Sequence, residues 1–209
     1  MSYYFRNKTL KSKKRERTRS ALIDSAISEI AVNGFNNLSI KEVAQSAGLA
    51  NGTFYNHFDT LDELIKQAVA AVAREIVEDI AISITGIDNG LERIILSTEK
   101  AIQKLVAEPE WGTIFVGAWH NFPEHSQDAI RFLQADLRKA KRQKLVPVKV
   151  TRLLEDQIVS VILLGVATLI RQGDKIKIRL ETHVAILKLL GIEPERATEL
   201  IQSTLAKHG

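Results

Sequence analysis

Two helix-start signals with a glycine between them constrain the first third of this 209-residue chain more than any other feature. Ser39 with Glu42, and Thr60 with Glu63, have the spacing at which a hydroxyl and a carboxylate satisfy the free backbone N–H groups of a helix start. They predict one helix from Ile40 and another from Leu61. The first is short, because Gly48 follows Val43, Ala44 and Ala47, and only a very short helix fits between Ala50 and about Asn56. A short helix, a tight turn and a second short helix form a helix-turn-helix. In that motif the second member enters the major groove of duplex DNA and the first braces it across the backbone.

The residues of the second member suit that role. From Ala50 to Phe58, helical spacing puts Phe54 and Phe58 on one face, where they can anchor the segment. Asn51, Thr53, Tyr55, Asn56 and His57 fall elsewhere. Asn51 and Thr53 are short hydrogen-bonding groups suited to base edges, Tyr55 and His57 suit phosphate oxygens, and Gly52 lets a backbone approach closely. Ordinary surface residues of a small helical cap would look similar one at a time. The preceding segment tips the balance: Arg6, Lys8, Lys11, Lys13, Lys14, Arg15, Arg17 and Arg19 crowd the N-terminus against a lone Glu16, in a chain whose net charge is only +4. Such a block is either a solvated tail or a polyanion-binding arm.

Elsewhere apolar residues recur at three and four, so the whole chain reads as helical. A first helix from about Glu16 to Val32 carries Leu22, Ile23, Ala26, Ile27 and Ile30 on one stripe and stops at Asn33-Gly34-Phe35. The fourth, long helix runs from Leu61 to near Ile84, with Asp88 as a cap for the next. Further helices are predicted at about Leu91–Ala107, Pro109–Trp119, Glu124–Lys144, Thr151–Arg171, Ile178–Leu190 and Pro194–Lys207. Lys175–Leu180 alternates as a strand does, but a single strand would have no partner for its backbone groups, so it reads as a helix start.

Leu22-Ile23 with Ala26, Asn33-Gly34-Phe35, Ser39-Ile40, Val43-Ala44, Ala47-Gly48-Leu49, Gly52-Thr53-Phe54-Tyr55, and His57-Phe58 with Leu64 together resemble the N-terminal signature of the TetR family of bacterial transcriptional regulators. The resemblance covers about residues 18 to 66. It implies an all-α fold: an N-terminal three-helix helix-turn-helix DNA-binding head joined by a long helix to a helical ligand-binding and dimerisation body. It further implies a DNA-bound homodimer, commonly a repressor released by a small molecule, with Lys41, Thr53, Tyr55 and His57 touching phosphates or bases. Two positions depart from the pattern. Ala50 stands where serine usually opens the recognition helix, losing a cap worth about 1 kcal/mol that Asn51 is placed to replace. Leu61 stands where a lysine commonly enters the next helix. The expected organisation is a basic flexible arm over 1–15, the head over 16–60 and the body over 61–209.

In the body, Leu154, Ile158, Val161, Ile162, Gly165 and Leu169 form a stripe, yet Val159, Leu163, Leu164 and Val166 are apolar on the other sides. A helix apolar nearly all round is buried nearly all round. This predicts a four-helix seam between two copies, completed by Val184 and Leu187 with Leu190, and two recognition helices about 34 Å apart on a two-fold operator. Trp111, Phe115, Trp119 and Phe122, with His120 adjacent, recur at helical spacing; they either pack a core or line an effector pocket. Arg138, Lys139, Lys141, Arg142, Lys144 and Lys149 form a second basic cluster, a solvated face or a site for an anion such as an acyl thioester of a nucleotide carrier.

Several classes are set aside. There is no Gly-x-Ser-x-Gly elbow, glycine-rich phosphate loop or His-Glu-x-x-His, and the histidines lack metal-ligand spacing apart from His120 and His125, which straddle Pro123 and so share no regular helical face; neither an enzyme nor a cofactor or metal is expected. Cysteine is absent, and the polar, basic N-terminus has no apolar core of a secretion signal, which suits a cytoplasmic protein. The longest apolar run, Ile158–Ile170, falls short of the roughly 20 residues that span a bilayer. An architectural DNA-binding protein with no effector is the remaining alternative. What separates it is whether any small molecule releases the DNA.

Overall fold

The computed structural model describes residues 4–121 and 130–208, and every regular element among them is a helix. They divide into two compact units, Met1–Val72 with Pro109–Ser126, and Ala73–Glu108 with Gln127–Gly209.

The first unit is built on α2 (Lys14–Asn33). Leu22, Ala26, Ile27 and Ile30 are buried as the stripe predicts, and so are Ser20, Asp24, Ser25 and Ser28, because α2 is covered on several sides. One side meets α3 (Ile40–Ser46) and the other meets α7 (Pro109–Asn121). The approach of α7 depends on Gly117: a Cβ there would lie 2.3 Å from a ring carbon of Phe35. The short helix α4 (Asn51–Phe54) follows α3, and the long α5 (Leu61–Ser83) leaves this unit for the second.

The N-terminal segment differs from the free arm expected of residues 1–15. Tyr4–Lys8 form a helical turn, α1, packed on α2. Phe5 is buried, its N–H donates to the Asp24 carboxylate at 3.0 Å, and its ring stacks on Trp111 at 5.6 Å with Tyr4 edge-on to the same indole. An aromatic side chain with an apolar partner and a buried acceptor for its backbone offsets the entropy that keeps a basic tail disordered. The same contacts place two members of the aromatic stripe in the packing of this unit. Trp111 and Phe115 are core residues of this unit, and Trp119 is half-exposed. The His120 side chain and Phe122 lie outside the described residues.

The second unit gathers α8 (Arg131–Arg142), α9 (Arg152–Gln172), α10 (Ile176–Leu189) and α11 (Pro194–His208) around α6 (Gly90–Ala107). Asn89, rather than Asp88, caps α6, accepting the N–H groups of Leu91 and Glu92, while Asp88 pairs with Lys139 at 2.7 Å. Arg93 pairs with the buried Asp136 at 2.6 Å and also donates to the Ile84 carbonyl beyond α5. Burial outweighs this partner and pushes the Asp136 carboxyl above its ordinary value. Arg179 bridges Glu99 and Asp174. The alternating Lys175–Leu180 segment is the start of α10, and the part of the predicted Glu124–Lys144 helix before residue 130 lies outside the described residues.

Gly165, expected on the seam between copies, faces α10 inside one chain: a Cβ there would lie 2.5 Å from Thr182 Oγ1. Leu154, Ile158, Leu169 and Leu187 are likewise buried within the single chain, whereas Val161, Ile162 and Val184 are half-exposed. Among the described residues α9 is the one helix long and apolar enough to cross a membrane, and these buried residues pack it into its own unit.

The α6–α8 contact is equally tight. A Cβ on Gly90 would lie 2.5 Å from the Ala140 backbone nitrogen, which cannot swing aside as a side chain can. Gly90→Ala is therefore expected to lower stability by about 1–3 kcal/mol, the usual cost of overpacking. Gly52→Ala, where a Cβ meets nothing within 4 Å, is expected to melt no earlier than the wild type. Equal thermal midpoints for Gly90→Ala and wild type would show that α6 and α8 are not in this register.

Candidate nucleic-acid interface

The first unit holds its short helices by local chemistry. Ser39 Oγ accepts the Glu42 N–H at 3.2 Å and the Glu42 carboxylate accepts the Ser39 N–H at 3.1 Å, closing the predicted box at the start of α3. At its other end Gly48 takes φ of 71°, which lets the Leu49 N–H reach back to the Ala44 carbonyl at 2.9 Å. Ala50 occupies the N-cap of α4 with no side-chain bond, and Asn51 is already the first helical residue, so the expected replacement cap does not form. Thr60 Oγ1 accepts the Glu63 N–H at 3.1 Å, but the Glu63 carboxylate takes the N–H of Asp59 rather than of Thr60.

These constraints fix which side chains of α4 face outward. Phe54 and Phe58 are buried with ring centroids 5.8 Å apart, and the Arg19 guanidinium lies 4.4 Å over the Phe58 ring. Lys41, Asn51, Gly52, Tyr55 and Asn56 are exposed, Tyr55 by 60%, and Thr53 and His57 are half-buried. The seven residues singled out in the sequence thus all lie at or near the surface of one unit. Lys14, Arg15 and Thr18 join Thr53, Asn56 and His57 around one shallow cleft. By spacing alone Lys14 and Arg15 fall in the basic arm and Thr18 in the first turn of a helix. The available signal was their helical spacing from Arg19, since α2 starts at Lys14, two residues earlier than the periodicity suggests.

The cleft combines the cations Lys14 and Arg15, the hydroxyls of Thr18 and Thr53, the Asn56 amide and the His57 imidazole, a donor set that matches phosphate oxygens. Burial is the largest influence on His57, and Arg15 and Arg19 add to it; together they hold its imidazole below the ordinary value. Among the described residues no cluster of three or more His, Asp or Glu is placed to hold a metal ion.

The site is a helix-turn-helix with an outward row of hydrogen-bonding residues and a cationic cleft beside it. Residues 22–68 match the model for bacterial regulatory proteins of the TetR family. The chain is 49% identical over 51 residues to an uncharacterized HTH-type transcriptional regulator of Haemophilus influenzae, 24% of this chain. That match spans only 25% of the relative's length. Over most of its length the chain shares the fold of RolR, solved in complex with resorcinol (TM-score 0.67, 21% identity, 90% of this chain and 94% of that one). It also shares the fold of the transcriptional regulator FadR from Bacillus subtilis, solved with stearoyl-CoA (TM-score 0.66, 20% identity, 83% and 98%).

The His57 environment carries a sign. Its proton affinity is depressed in the folded chain and ordinary in the unfolded one, so on acidification the unfolded state takes the proton first and stability falls. The thermal midpoint should decline between about pH 7.5 and about pH 5.5, and His57→Gln should remove part of that decline. Parallel curves for the two proteins would mean the folded environment leaves His57 unperturbed.

Proposed function

We propose that the chain is a sequence-specific transcriptional regulator that binds a two-fold operator as a homodimer, a repressor released by a small-molecule effector, acting in the cytoplasm without a cofactor. The observation that carries the reading is the exposed row Asn51, Gly52, Thr53, Tyr55 and Asn56 beside the Lys14–Arg15 cleft. The row offers donors and acceptors to base edges, and the cleft and Lys41 neutralise backbone phosphates. Gly52 keeps the surface low where the duplex would approach.

A second copy is the natural cover for the outer face of α9. Leu153 and Leu164 are 68% and 65% exposed there, with Val161 and Ile162 half-exposed, and Val184 of α10 is half-exposed too. Apolar residues concentrated on one helix of a small unit favour association, and a two-fold pair of heads multiplies the affinity of one. Ligands as different as resorcinol and stearoyl-CoA in proteins of this fold support an effector held in the body. Release would be a population shift, the effector favouring a conformation whose recognition helices no longer match successive major grooves. The chain offers three covalent routes for it, since it passes between units within α5, before α7 and after α7.

The test is a footprint on genomic fragments with the purified protein, titrated against salt. A compact two-fold footprint is expected, lost in Thr53→Ala/Tyr55→Ala. Diffuse protection unaffected by that variant would instead point to backbone binding alone and to an architectural protein. Lys11→Gln/Lys13→Gln/Lys14→Gln is expected to weaken binding about equally on all sequences and to flatten its salt dependence. Deleting residues 1–14 would confound that test, because Phe5 anchors α1. An unchanged salt slope in the triple variant would rule the segment out as a phosphate contact.

A further inference from the structure

The second unit contains a cleft of about 660 Å³ that the DNA-binding reading does not use, and none of its lining comes from the aromatic helix α7. Its apolar wall is formed by Leu91 and Ile95 of α6, Leu145 and Pro147 of the α8–α9 connection, and Ile192 and Leu200 around the start of α11. The volume falls in the range of about 300–1,000 Å³ typical of small-molecule sites. The walls are close-fitted: a Cβ on Gly191 would lie 2.8 Å from Pro147 Cγ, so the α10–α11 turn is pressed against the α8–α9 connection.

The charges around it are unequal in availability. Glu92 is engaged by His208 at 3.0 Å and Lys207 at 3.2 Å; the His208 hydrogen bond is the largest influence holding its carboxyl below the ordinary value. Its negative charge is therefore compensated from within the chain. Among the described residues Arg196 pairs ionically with the exposed Glu199 three residues on, a surface pair that competes weakly with a ligand. Lys144 has no ionic partner among the described residues, and its backbone takes φ of 59°, the one positive value among their non-glycine residues. Its N–H donates to the Lys141 carbonyl, and that of Leu145 to the Ala140 carbonyl, so it occupies the position after a helix where glycine is the ordinary choice. Lys144 thus adds a cation to the rim of an apolar cleft. Glu193 is the one carboxylate in the lining that is not so compensated.

We propose that this cleft binds a small amphipathic monocarboxylate, its apolar body against Leu91, Ile95 and Leu200 and its carboxylate between Lys144 and Arg196. A nucleotide-carrier thioester fits less well, because two further cations of the basic cluster are occupied: Lys139 by Asp88, and Lys141 by the Val146 and Pro147 carbonyls. The inference concerns the second unit alone and stands whether or not the first unit reads an operator.

Sodium octanoate is the probe and 1-octanol its neutral counterpart, each titrated by calorimetry and amide NMR into the full chain without DNA. Saturable octanoate binding is expected to shift the amides of Leu91, Lys144 and Ile192. Lys144→Gly/Arg196→Gln should weaken octanoate about tenfold or more and leave octanol unchanged, while Ser203→Trp, which fills the cleft from its exposed rim, should weaken both. Lys144→Gly suits the backbone it replaces, so the double variant is expected to melt with the wild type or later. The proposal is overturned by the absence of saturable octanoate binding, by equal affinities in wild type and the double variant, or by shifts confined to residues outside the cleft.

Discussion

The stacking of Arg19 over the buried Phe58 ring is the contact on which the DNA-facing surface depends. A four-residue helix such as α4 has no stability of its own, because nucleation costs more than one turn of hydrogen bonds returns. Its position comes from Phe54 and Phe58 beneath it and from α2 beside it. One guanidinium over one ring also sets Lys14 and Arg15, a turn earlier on α2, next to Thr53, Asn56 and His57. The outward residues of α4 and the cations at the start of α2 are thus held in register by one contact between α2 and the segment after α4.

The second unit relies on close packing instead. Gly90 against Ala140 and Gly165 against Thr182 bring backbones nearer than any side chain would permit. Such contacts deform little, and the ion pairs of Arg93 with Asp136 and of Arg179 with Glu99 and Asp174 fasten the same helices. The left-handed Lys144 and the turn at Gly191 sit where these packed helices end, which is where a cleft remains.

What could be read from the sequence was what short-range chemistry decides. The Ser39 box, the turn at Gly48, the placing of Phe54 and Phe58 inward and the helical character of every described segment all follow from spacings of a few residues. What escaped depends on partners distant in sequence. Nothing near Phe5 reveals that Asp24 and Trp111 will receive it, so a basic segment looked free along its whole length. Nothing near Trp111 reveals that its neighbours are α1 and α2, so a core aromatic resembled a pocket wall. The α9 stripe was ambiguous for a related reason: periodicity shows that a face is apolar but not what covers it. Leu154 and Gly165 turned out to be covered by their own chain, leaving Leu153 and Leu164 outward.

The assignment of α7 to the first unit bears on how the proposed regulator would work. The helix lies between α6 and α8 in sequence, both of which belong to the second unit, yet its buried partners are α2 and α1. The side chains of α7 are interlocked with the rest of the first unit, Gly117 against the Phe35 ring and Trp111 against Phe5 of α1. The α2 helix on which α7 packs also carries Arg19, Lys14 and Arg15, so one helix joins the seating of α7 to the groups that hold and flank α4. Under this reading the N-terminal segment does two jobs at once, its apolar residues clasping α7 while its cations lie along the duplex. Occupancy of the operator and the seating of α7 then become linked properties of one short stretch of chain.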